Sequence, residues 1–79
     1  MDATHRGSGA TVVRLNVTRL DALAAARGAK NNPQRAELFG TDRATVVRWR
    51  GHRSLPTLTK AVEIARLFDV KVEELLEVA

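Results

Sequence analysis

Three glycines divide this chain into short pieces. Gly28, Gly40 and Gly51 each follow a stretch with helical spacing and stop it. The intervals leave room for only two or three turns, so the fold available is a bundle of short helices. There is no cysteine among the 79 residues, so neither disulfides nor thiolate metal sites can staple it. Hydrophobic burial must supply the stability of one small domain. With 44% hydrophobic and only 4% aromatic residues, that core is aliphatic, built from Ala, Leu and Val.

The elements can be placed from periodicity and caps. Residues 1–10, small, polar and glycine-punctuated, read as a mobile arm. Residues 11–17 alternate Val13, Leu15 and Val17 against Val12, Arg14 and Asn16, the period of a strand. That strand either lies extended on the bundle or pairs with a second subunit's copy. A first helix is expected from 17 or 18 to 27, with Leu20, Leu23 and Ala24 on one face. Its cap is either Thr18, boxed with Asp21, or Asn16. A second helix, 33–39, is expected to start on Asn32 as cap and Pro33 as first residue, burying Ala36 with Phe39 or Leu38.

Gly40, Thr41 and Asp42 then form a tight turn, with Asp42 capping a third helix over 43–50. Val46 and Trp49, three apart, face inward; Arg43, Ala44, Val47 and Arg48 fall on the other side. A fourth helix opens at Pro56 and Thr57 and runs to Phe68, with Leu58, Ala61, Ile64 or Val62, Ala65 and Phe68 as its buried stripe. A last short helix is expected over 72–78, contributing Leu75 with Val72 or Leu76, and carrying Glu73 and Glu74 in its first turn. The expected architecture is an all-α, five-helix domain over residues 15–79 behind an extended arm over 1–14.

Charge narrows the function. Residues 1–60 hold eleven Lys and Arg against four Asp and Glu, whereas residues 61–79 hold two against five. A basic body with an acidic end points to a polyanionic partner. Between Arg43 and Arg53 there are four arginines and no acid, which suits a surface laid on phosphates. No apolar stretch approaches the roughly 20 residues of a membrane span, and the amino terminus lacks the apolar run of a secretion signal. The expected compartment is the cytosol. Without cysteine, tyrosine or a glycine-rich phosphate loop, and with only two distant histidines, no enzyme, cofactor or metal site is expected.

Two short helices joined by a glycine turn, the second bearing outward arginines, form a helix-turn-helix. Such a helix fits the major groove, and an arginine fork can bond O6 and N7 of guanine. Small or apolar neighbours such as Ala44 and Val47 admit close approach and can touch a thymine methyl. Trp49 belongs to the core rather than to a stacking platform. His5 and Arg6 are read as part of the arm, with groove contact the alternative. Lys60 and Arg66 are read as a solvated helix face.

Residues 40–50, GTDRATVVRWR, resemble the turn and recognition helix of the lambda-type repressor and Cro family, the XRE-type regulators. The segment PTLTKAVEIARLFDVKVEELL is similar to the family's fourth and fifth helices, and LNVTRLDALAAARG to its first. The resemblance implies a lambda-repressor-like fold and sequence-specific binding of operator duplex DNA. It implies base contacts from Arg43, Ala44, Val47 and Arg48, a place close to the backbone for Thr45, and a phosphate contact at the start of helix two from Asn31, Asn32 or Gln34; Arg35, Arg50 and Arg53 are read from their charge as further phosphate contacts. The link from Gly28 to Gly40 is one residue longer than the family's. Arg35 stands where a leucine is usually buried, Arg50 where a glutamate is common, and the following glycine comes one position early. The implied role is transcriptional repression, as a homodimer on a two-fold operator or a monomer on an asymmetric one. An antitoxin-like interaction module and an excisionase-like architectural factor are the alternatives. No small-molecule ligand is expected.

Overall fold

Every α-helix begins on a side chain that caps it. In the computed structural model, which describes residues 12–78, helix α1 (Val17–Ala26) starts where the Asn16 side chain accepts the Arg19 amide. Asn31 accepts the Gln34 amide to open α2 (Asn32–Phe39). Asp42 accepts the Thr45 amide to open α3 (Arg43–Arg50), and Thr57 accepts the Lys60 amide to open α4 (Leu58–Phe68). Each cap satisfies one orphan donor and is worth about 1 kcal/mol. Asn31, not Asn32, caps α2, which moves Pro33 to the second helical position, still without a donor to lose.

The four ends are alike too. Gly28, Gly40, His52 and Asp69 adopt left-handed backbone, with φ of 86°, 70°, 59° and 55°. In each case the next amide reaches back five residues: Ala29 to Ala24, Thr41 to Ala36, Arg53 to Arg48 and Val70 to Ala65. The end of α3 thus turns on His52, one residue beyond the Gly51 that the sequence nominated.

The expected fifth helix is absent. Val72–Leu75 is a single 3-10 turn, and Leu76–Val78 forms strand β2. It pairs antiparallel with β1 (Val13–Leu15) in the register Val13↔Val78, Arg14↔Glu77, Leu15↔Leu76. Among the described residues the architecture is therefore four α-helices and a two-stranded sheet. Glu and Leu favour helix, but the alternation Leu76, Glu77, Val78 matches a strand that otherwise has no partner. Pairing satisfies both backbones and seals Leu15 and Leu75, which are 2% and 1% exposed. Arg14 and Glu77, on the other face, meet at 2.7 Å. Val13 and Arg14, assigned by the sequence to the arm, thus lie in the sheet; residues 1–11, with His5 and Arg6, fall outside the described residues.

The core joins Leu15, Leu20, Ala24, Phe39, Val46, Trp49, Ile64, Phe68 and Leu75. All three aromatic residues sit in it. Phe39 stacks edge-on against Phe68 with centroids 6.0 Å apart and lies 6.4 Å from Trp49. Leu58 is a correction: it is 77% exposed, and the buried stripe of α4 starts at Ala61. Lys60 is another, being half-buried rather than solvated. Its ammonium donates to the Phe39 and Gly40 carbonyls at 3.1 and 3.4 Å, closing the carboxyl end of α2 where a cation is favoured.

Candidate nucleic-acid interface

Helices α2 and α3 and the turn Gly40, Thr41, Asp42 have the connectivity of a helix-turn-helix. Burial of one side of α3 decides what the other side shows. Val46 is 0% exposed and Trp49 4%, so these two anchor the helix. At ~100° per residue, Arg43, Ala44, Val47 and Arg48 span an arc on the opposite side, and all four are exposed. Val47 is 49% exposed, so an aliphatic surface stands between the arginines of this face.

The first turn of α3 is braced by side chains. Asp42 Oδ1 accepts the Thr45 amide at 2.7 Å, and Arg48 Nη2 donates to Thr45 Oγ1 at 3.0 Å. The Thr45 amide first, then its hydroxyl and the Arg48 charge, hold the Asp42 carboxyl below its ordinary pKa. An acid at this place is therefore occupied with helix donors, and it leaves the Arg48 guanidinium leaning over the amino-terminal turn. Among the described residues, Arg43, Arg48 and Arg53 form no ion pair, whereas Arg14 and Arg19 are matched by Glu77 and Glu74. The acidic end of the chain neutralises the sheet and α1, and leaves α3 cationic.

Beside α3 lies an open groove of about 350 Å3, lined in part by Thr41, Thr45, Ser54 and Thr57. Hydroxyls of this kind can donate to phosphate oxygens. Gln34, at the start of α2, is exposed, and its side-chain oxygen accepts the Lys30 amide at 2.8 Å, so its NH2 points elsewhere. Arg53 is exposed just past α3, its amide bonded to the Arg48 carbonyl.

Asn32, Arg35 and Arg50 are disposed differently from expectation. Arg50 turns to α1, donating from Nε and Nη2 to both oxygens of Asp21 at 3.2 and 2.7 Å. This bidentate bond raises the Arg50 pKa against the opposing effect of burial. Arg35 turns inward as well: its side chain is 12% exposed, and its Nε lies 3.4 Å from Asp21 Oδ1. Its Nη1 donates to Asn32 Oδ1 at 2.9 Å, which engages the oxygen of a half-buried Asn32. Asp21 is thus a clasp between α1, α2 and α3, not a capping-box partner. The sequence held one overlooked sign of this. Asp21 borders the Leu20–Ala24 stripe and Arg35 borders the Ala36–Phe39 stripe, opposite charges at the edges of two buried faces.

Among the described residues, no cluster of His, Asp and Glu could hold a metal, and no helix is long and apolar enough to cross a membrane. No family model and no curated protein sequence matches the chain. A crystal structure of a candidate DNA-binding protein from Bacteroides fragilis is similar to it at 26% identity. The match covers 84% of this chain and 100% of that one, with a TM-score of 0.62.

Proposed function

We propose that this chain binds double-stranded DNA sequence-specifically by laying α3 in the major groove, and acts as a repressor or Cro-like regulator that occludes a promoter. The observation that carries the reading is the outer face of α3, where Arg43, Ala44, Val47 and Arg48 stand exposed on a helix anchored by Val46 and Trp49. A helix about 10–12 Å across fits that groove. Arg43 and Arg48 can each present a planar fork to guanine, and Val47 a methyl surface to thymine. Gln34, Thr45 and Arg53 are the phosphate contacts this geometry favours. Arg35 and Arg50 leave that set because their guanidiniums are engaged within the bundle, and Asn32 because it is half-buried beside Arg35 whereas Gln34 is exposed. The description of the Bacteroides fragilis protein and the lambda-type resemblance of residues 15–77 support the same class.

Selection of bound sequences from a random duplex pool tests the reading and returns the operator and its symmetry. Arg48→Ala should lose roughly 1–3 kcal/mol on the selected site and far less on random DNA. Arg53→Ala should leave the consensus unchanged and reduce the salt slope by about one. A chain that enriches no sequence and ignores duplexes at modest ionic strength sinks the proposal.

A further inference from the structure

We infer that Asp21 is a specificity-determining positioning residue: it draws Arg50 and Arg35 into the bundle and so keeps two guanidiniums off the phosphates of any DNA. The inference rests on the DNA-binding reading above. Asp21 touches no exposed face of α3, yet both of its oxygens are taken by Arg50, the last residue of that helix. Oδ1 also faces Arg35 Nε, a buried nitrogen with no hydrogen-bond partner. One carboxylate therefore serves two cations, and the cluster keeps one positive charge in excess.

That balance hangs on a single negative charge. Arg50 has a 31% exposed side chain and Arg35 a 12% exposed one. Without the carboxylate the two guanidiniums repel across a half-buried site, and Arg50, the more exposed, turns to solvent at the end of α3. There it meets a phosphate on whatever sequence is bound. A phosphate contact carries no base information, and α3 has meanwhile lost its tie to α1. Sequence-independent affinity rises while discrimination falls.

The test is the salt dependence of binding to a random-sequence duplex, measured for the wild type, Asp21→Asn, Asp21→Glu and Arg50→Gln. Wild type and Arg50→Gln should share one slope, because Arg50 is not on phosphate. Asp21→Asn should be steeper by about one. Between about 50 and 200 mM salt it then loses about 3.5-fold more affinity than the wild type. Its ratio of selected-site to random affinity should fall, and Asp21→Glu, which restores the charge, should return both readouts toward wild type. A shallower slope for Arg50→Gln overturns the inference, and it does so even if Asp21→Asn fails to fold. An unchanged slope for a folded Asp21→Asn overturns it equally. If the wild type binds no duplex, the DNA-binding reading falls as well, which separates the two failures.

Discussion

Replacing His52 by glycine should stabilise the protein. His52 carries φ of 59° at the end of α3. Its amide donates to the Trp49 carbonyl at 3.1 Å, and the next amide, of Arg53, to that of Arg48 at 2.9 Å. Left-handed backbone costs an L-residue about 1–2 kcal/mol. Glycine escapes that cost but loses about 0.5–1 kcal/mol more chain entropy on folding. Both closing hydrogen bonds are backbone bonds and survive the change, and the exposed ring gives up little burial. The net gain is about 0.5–1 kcal/mol, or a rise of about 2–8 °C in Tm for a domain of this size. Gly40→Ala is the mirror experiment, at φ of 70°. Its new Cβ would sit 3.5 Å from Lys60 Nζ, an ordinary contact, so strain alone sets the cost and Tm should fall by a similar amount. Thermal unfolding followed by far-ultraviolet circular dichroism, with calorimetry to check two-state behaviour, measures both. Shifts of the same sign for the two variants, or none for His52→Gly, would refute the reasoning.

Two further outcomes are expected. Leu58→Ser should change stability by no more than about 0.5 kcal/mol, whereas Ile64→Ala on the same helix should cost about 2–5 kcal/mol by leaving a cavity; denaturant unfolding of both decides, and a large Leu58 effect would mean its face is covered. The Asp42 carboxyl is held low by the Thr45 amide, and that of Glu74 by the Lys71 amide and then Arg19. Groups depressed in the folded state stabilise it above their unfolded pKa, and that stability is lost as pH falls through the folded value. Tm should therefore hold from neutrality to about pH 4 and decline below it. Asp42→Asn, which keeps an acceptor for the Thr45 amide, should remove part of the decline, and a loss already complete by pH 5 would contradict the assignment.

The outward face of α3 was legible in the sequence because its signals are local. Asp42 caps, Val46 and Trp49 share the inner side at a spacing of three, and the four residues between and beside them must then point outward. Hydrogen bonds and periodicity within about ten residues settle such matters. The same holds for the Phe68 end of α4 and for the end of α2 at Gly40. Leu58 failed because apolar spacing continues one turn past the point where the neighbouring elements still cover α4.

What the chain alone determined is the succession of four helices and most of the residues on their inward faces, since caps, turns and helical periodicity act between near neighbours. Only the assembled molecule decided the rest. Leu76–Val78 became a strand because Val13–Leu15, 63 residues away at the Arg14–Glu77 pair, offers it a ladder that local propensity does not anticipate. Asp21 gathers Arg35 and Arg50 because three helices converge there. A charge partner chosen across the bundle has no spacing to reveal it, and which arginines remain for a ligand depends on that choice.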